Sequence, residues 1–228
     1  MPENVKSEKD WLYKLKQIVA PSIMEKMNKA ISASSMTDDF INPYETNEIV
    51  PYPYEHVLSL LRNILLQQSW PTTSIARSRI LKDNNIANPL PSSGSFTVVN
   101  PKFITELEQS SIRIPKNNAL FPELASAVFE LEEKIVTINN LQRPPSTHCA
   151  INCNAQFLPH VDSGRGKGQS LSMIVGLGSY FDGGEIFVER IAHDIRYKAL
   201  EFDGWKQRHW TNPFRGERFS LVWFSPES

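Results

Sequence analysis

The stretch DGWKQRHWTNPFRGERFSLVWF, from Asp203 to Phe224, sets the reading of the whole chain. It closes on RFSLVWF, an alternating run of the kind that forms a half-buried strand, with Arg218 and Ser220 on one face. Four runs of the same kind precede it: HCAINCNAQFL, SLSMIVGL, GEIFVERI and DIRYKALEF, each apolar or alternating. Glycines stand between them, at Gly176, Gly178, Gly183, Gly184, Gly204 and Gly216. Short strands at regular spacing from about Thr147 onward predict a sandwich, jelly roll or barrel.

The first half reads differently. WLYKLKQIVAPSIMEKMNKAI places Trp11, Leu12, Leu15, Ile18 and Val19 at helical spacing, broken at Pro21. INPYETNEIVPYPYEH reads as an extended linker. EHVLSLLRNILLQQSW predicts an amphipathic helix with Val57, Leu60, Leu61, Ile64 and Leu65 on one face. LFPELASAVFELEEKIVTI predicts another, opened by Pro122 near its first turn. NPLPSSGSFTVV starts turn-rich and ends strand-like. Helices first and strands after predict an α+β fold, one compact domain overall. Its β core spans about 95–228, and residues 1–94 form a helical and connector segment packed on that core.

Composition bounds the function. Of 228 residues, 40% are apolar and 21% charged, ordinary for a globular protein. Lys plus Arg is 24 against 25 Asp plus Glu, so no global charge draws the chain to nucleic acid or anionic membrane. No apolar run is long enough for a membrane span, and MPENVKSEKDW lacks the apolar core of a signal peptide. The two cysteines, Cys149 and Cys153, lie four apart on one expected strand, too far to bridge. An intracellular setting, cytoplasmic or nuclear, follows as the expectation.

The chemistry gathers in LPHVDSGRGKG. His160 and Asp162 are two apart, so on a strand they point to the same side. An imidazole and a carboxylate at that spacing suit adjacent corners of a first-row metal such as Fe(II). A third ligand has to come from a later strand, and His209 follows Asp162 by 47 residues. Two histidines and one carboxylate leave metal positions open, as non-haem iron oxygenases require. Nine residues beyond His209 stands Arg218, whose guanidinium suits a carboxylate, with the Ser220 hydroxyl beside it. His193, followed by Asp194, is the rival third ligand. His148 with Cys149 and Cys153 lacks the second ligand pair a zinc site needs.

The order His160-x-Asp162, His209, Arg218-x-Ser220 resembles the Fe(II)/2-oxoglutarate-dependent dioxygenases, and YFDGGEIFVE adds to the likeness. The resemblance covers roughly the last third of the chain. It implies a double-stranded β-helix, a distorted jelly roll. It implies that His160, Asp162 and His209 bind Fe(II), and that Arg218, assisted by Ser220, pairs with the distal carboxylate of 2-oxoglutarate. It further implies O2 as co-reactant and ascorbate as reductant. The presence of Asp162 favours hydroxylation, demethylation, desaturation or ring closure over halogenation. The tail LEFDGWKQRHWTNPFRGERFSLVWFSP is similar, more narrowly, to the branch that includes TET and J-binding proteins, which oxidise methylated bases.

Several further residues are candidates. Asn152 and Asn154 precede His160 by even numbers, so an unbroken strand turns all three amide and imidazole groups to the pocket, where they can contact 2-oxoglutarate or substrate. Pro159 is positioned to break that parity. Arg165 and Lys167 sit on a glycine turn beyond the ligands. Trp210 is expected to face away from His209, and Trp223 and Phe224 to be core. A charge-neutral chain with only RSRILK and SGRGKG as basic clusters favours a small-molecule, amino-acid or peptide substrate over a nucleic-acid base. A metal-free binding module and a cupin-type metal enzyme using another organic acid are the readings from other classes.

Overall fold

The chain is described here by a computed structural model, which covers residues 48–227 apart from 68–69, 72, 83–93, 105–113 and 164–165. The helix expected around Trp11 to Ile31 and the loop residue Arg165 lie outside the described residues.

Among the described residues twelve strands run in order: β1 Leu81–Lys82, β2 Gly94–Val99, β3 His148–Cys153, β4 Gln156–Phe157, β5 Gly168–Gln169, β6 Ser172–Leu177, β7 Ile186–Val188, β8 Ile191–His193, β9 Leu200–Phe202, β10 His209–Thr211, β11 Phe219–Phe224 and β12 Pro226–Glu227. Five of them make an antiparallel sheet in the order β2-β3-β11-β6-β9, and three make a second in the order β10-β7-β8. His160 pairs with His209 and so joins the outer side of β10. Followed along the chain, β3 lies in the large sheet, His160 in the small, β6 in the large, β7 and β8 in the small, β9 in the large, β10 in the small and β11 in the large. That alternation is the double-stranded β-helix expected from the sequence. Side chains of both sheets interdigitate between them, Ile174, Phe202 and Val222 from the large and Ile186 and Val188 from the small.

The outer face of the large sheet is covered by helices. On β11, Phe219, Leu221 and Trp223 are buried on that side, while Ser220, Val222 and Phe224 face inward to a cavity. Phe224, expected as core, is half-buried on the cavity wall because it falls on the inner parity. Helix α1, Glu55–Leu66, packs on the long helix Pro122–Ile138. Its buried stripe is Val57, Leu58, Leu61, Ile64 and Leu65. Leu58 rather than the expected Leu60 completes it, since Leu60 falls at the flank of the stripe. A short turn, α2, Ile75–Ser78, is capped by Ser74. Helix α3, Lys116–Leu120, shields edge strand β2: Asn118 accepts the Val99 N–H and donates to the Val99 carbonyl. The long helix is α4, and the Trp223 indole N–H donates to its Val128 carbonyl at 3.1 Å, fixing helix to sheet. Among the described residues no helix is long and apolar enough to cross a membrane.

Candidate metal and cosubstrate site

Backbone pairing brings the two histidines together. The His160 N–H donates to the His209 carbonyl at 3.0 Å, and the His209 N–H returns the bond at 2.8 Å. Residues paired this way across an antiparallel ladder put their side chains on the same face. The rings end with centroids 4.3 Å apart. Asp162, two residues on, is anchored by its own N–H to the Gly204 carbonyl at 2.8 Å. Asp162 Oδ1 then lies 3.8 Å from Nε2 of both His160 and His209.

The ring orientations are settled by carbonyls. His160 Nδ1 sits 2.7 Å from the Leu158 carbonyl and His209 Nδ1 sits 3.0 Å from the Gln207 carbonyl. A carbonyl only accepts, so each Nδ1 carries the proton and each Nε2 offers its lone pair toward Asp162. Burial, reinforced by neighbouring His209, holds the His160 pKa below its ordinary value, which keeps that imidazole neutral. Bonds of about 2.1 Å bring adjacent ligands of a first-row ion to about 3 Å, so each of the two 3.8 Å carboxylate–imidazole spacings needs to close by under about 1 Å to grip one. The donor chemistry and the spacing both fit such an ion. Among the described residues this is the His/Cys/Asp/Glu cluster compact enough to do so. His193, on β8, does not join it, and Cys149 and Cys153 are free, buried thiols.

Two residues without a signal in the sequence hold Asp162. Gln169 donates its amide N–H to Asp162 Oδ2 at 2.8 Å and is itself steadied by the Ser172 hydroxyl at 3.0 Å. At Gly204 a methyl group would collide with Asp162 Oδ2, so only glycine lets the carboxylate stand there. In sequence neither is marked: Gln169 lies seven residues from Asp162 across the intervening glycine turn, and Gly204 acts on a partner far along the chain.

The triad opens onto a cavity of about 250 Å³. Asn152, Ser220 and Arg77 line it on the polar side, and Phe157, Ile174, Ile186 and Phe202 on the apolar side. Asn152 Oδ1 accepts from Ser95 at 2.6 Å, and its amide donates to Ser220 Oγ at 3.1 Å. Asn154 does not line the cavity. The strand ends at Cys153 and Asn154 turns left-handed, with φ of 46°, so the parity that required an unbroken strand does not carry through. The Asn154 carbonyl Oδ1 instead accepts the Arg218 N–H at 2.9 Å. Trp210 stacks on Phe187 across the β10–β7 pair, with centroids 5.0 Å apart.

Arg218 is only 1% exposed and lies outside the lining of that cavity. Its Nε donates to the Gly184 carbonyl at 3.1 Å, and its guanidinium carbon lies 5.4 Å from the ring centres of both Tyr180 and Phe214. Arg218 Nη1 and Tyr180 Oη are both buried with no hydrogen-bond partner. Burial, opposed by Arg218, pushes the Tyr180 phenol up to about 12, so it stays a neutral donor. An orphaned donor on the cation and a second on the phenol beside it fit a carboxylate arriving from outside the chain. Gly184, in the Gly-Gly-Glu stretch, has a positive φ of 90°, and a methyl there would strike the Tyr180 ring.

No family model and no curated protein sequence matches this chain. Solved structures of similar shape include a Pseudomonas putida prolyl-4-hydroxylase, 17% identical, covering 77% of this chain and 88% of its own, with a TM-score of 0.42. A 2OG-Fe(II) oxygenase family oxidoreductase from Burkholderia pseudomallei is 20% identical over 72% of this chain and 76% of its own, with a TM-score of 0.32. NgTET1 in complex with 5mC DNA is 18% identical over 74% of this chain and 68% of its own, with a TM-score of 0.33. At such identities and scores, function has to be read from the side chains themselves.

Proposed function

We propose that this chain is a non-haem Fe(II)- and 2-oxoglutarate-dependent dioxygenase that oxidises a small-molecule, amino-acid or peptide substrate. The observation that carries the reading is the triad: two imidazoles with fixed tautomers and one carboxylate, all turned to a single point beside a cavity. Bound there with 2-oxoglutarate, iron supplies O2 activation for attack on an unreactive C–H bond.

The chain's own part is to bind, orient and exclude water. His160 and His209 offer Nε2, Asp162 offers Oδ1, and Gln169 with Gly204 keeps the carboxylate from turning away. The triad lines the cavity, through which cosubstrate and substrate would reach a metal held there. Arg218 and the Tyr180 hydroxyl take the distal carboxylate of 2-oxoglutarate, satisfying both orphaned donors. The Ser220 hydroxyl and the Asn152 amide, bonded to each other, form part of the polar wall of the cavity. Phe157, Ile174 and Phe202 keep the remaining wall dry.

The test is succinate formation. Anaerobic protein is mixed with Fe(II), 2-oxoglutarate and ascorbate, oxygen is admitted, and succinate is followed beside the Asp162→Ala protein. Succinate from the wild type alone is the expected result. Equal succinate from both proteins overturns the assignment.

A further inference from the structure

Arg77 is a second cation that a metal and 2-oxoglutarate leave unexplained. It sits in the short turn α2 and lines the same cavity as the triad. Its Nη1 donates to Ser95 Oγ at 2.5 Å. Ser95 in turn donates to Asn152 Oδ1 at 2.6 Å, and Asn152 donates to Ser220 Oγ at 3.1 Å. The chain of bonds has one direction, so Ser95 must accept from Arg77 and the guanidinium is held in place. Among the described residues no carboxylate lies at ion-pair distance from Arg77. Burial draws its pKa below the ordinary value, and Asp162 is the acid that most opposes this. Asp162 is already committed to the triad and to Gln169.

A guanidinium fixed on one side, without an ion-pair partner and facing a cavity that is apolar on its other side, is arranged to receive a planar or tetrahedral oxyanion on its free edge. We propose that Arg77 binds an anionic group of the substrate, a carboxylate or a phosphate, and so selects anionic small molecules for delivery to the triad. The substrate role rests on the oxygenase reading; the anion site itself does not. Arg77 is thus a specificity-determining residue, distinct from the buried Arg218 that does not line this cavity.

The experiment uses the full chain without metal or 2-oxoglutarate. Its Tm is measured against inorganic phosphate and against acetate, each at constant ionic strength balanced with chloride. A saturable rise is expected for the wild type with at least one anion, falling to the chloride baseline in Arg77→Gln and partly kept in Arg77→Lys. A rise with phosphate alone assigns a phosphate group, and a rise with acetate alone a carboxylate. No rise in the wild type, or an equal rise in Arg77→Gln, overturns the proposal. A second arm titrates 2-oxoglutarate into Mn(II)-loaded protein under nitrogen by calorimetry. Its Kd is expected to stay within about threefold in Arg77→Gln. A loss beyond about tenfold in Arg77→Gln, with Arg218→Gln unaffected, means Arg77 holds the cosubstrate and overturns the substrate role. If no protein binds 2-oxoglutarate but the anion shift still depends on Arg77, the oxygenase reading fails while the anion site stands.

Discussion

The triad and the Arg218 cluster treat their polar atoms in opposite ways. Around the triad each imidazole and the carboxylate already have their orienting partners, in the Leu158 and Gln207 carbonyls and in Gln169. Around Arg218, one guanidinium nitrogen and the Tyr180 hydroxyl are buried with nothing to bond. Leaving such groups unmet costs about 1–3 kcal/mol each. The contrast teaches that the first region is built in advance, and on the proposed reading the second is completed by the cosubstrate. A metal needs fixed lone pairs before it arrives, whereas a bidentate anion brings its own acceptors.

The predictions separate the two regions, beginning with the largest effect. Asp162→Ala removes a ligand itself and is expected to lower Mn(II) affinity by more than about 100-fold, beyond what loss of an orienting partner does. Calorimetry under nitrogen reads it, and affinity within about tenfold of wild type would break the first half of the comparison. Arg218→Ala is expected to weaken 2-oxoglutarate binding by about 100-fold, about 3 kcal/mol, while Mn(II) affinity stays the same. A fall in both affinities would mean that the two regions are not separable. Gly204→Ala pushes on Asp162 from behind and is expected to cost about 10–100-fold in metal affinity. Tyr180→Phe deletes one orphaned donor and is expected to raise the 2-oxoglutarate Kd by about tenfold, read by the same calorimetry.

The smallest effect concerns the wall of the cavity, where His148 stacks on Phe224. Burial holds the His148 pKa below its ordinary value. A base depressed by folding is neutral in both states above the unfolded value of about 6.5. As pH falls below that, the unfolded chain takes the proton first and stability drops until the folded pKa is reached. His148→Gln is therefore expected to lose less of its urea midpoint between neutral and mildly acidic pH than the wild type. An equal loss would place the acid sensitivity elsewhere.

The strands were legible because burial on alternate faces writes itself into the sequence: RFSLVWF gave β11, and SLSMIVGL gave β6. The helix at Pro122–Ile138 was legible for the same reason, at the other period. The triad could be seen because His160 and Asp162 are neighbours and the rest follows in chain order. Gln169, Gly204 and Tyr180 could not be seen. Each acts on a residue that the fold, not the sequence, places beside it. Arg77 was hidden for a further reason: it stands in RSRILK, one of two basic clusters weighed only for nucleic-acid binding, and the fold places it on the cavity wall. Asn154 misled in the other direction, since strand parity holds only while the strand lasts, and a left-handed residue ends it.

The most direct test of the account is the titration of 2-oxoglutarate into the Mn(II)-loaded protein under nitrogen, run on wild type, Asp162→Ala and Arg218→Ala. The account predicts saturable binding to the wild type that weakens when metal is omitted, in Asp162→Ala, and in Arg218→Ala. Binding of equal strength to all three proteins, with or without metal, would contradict it.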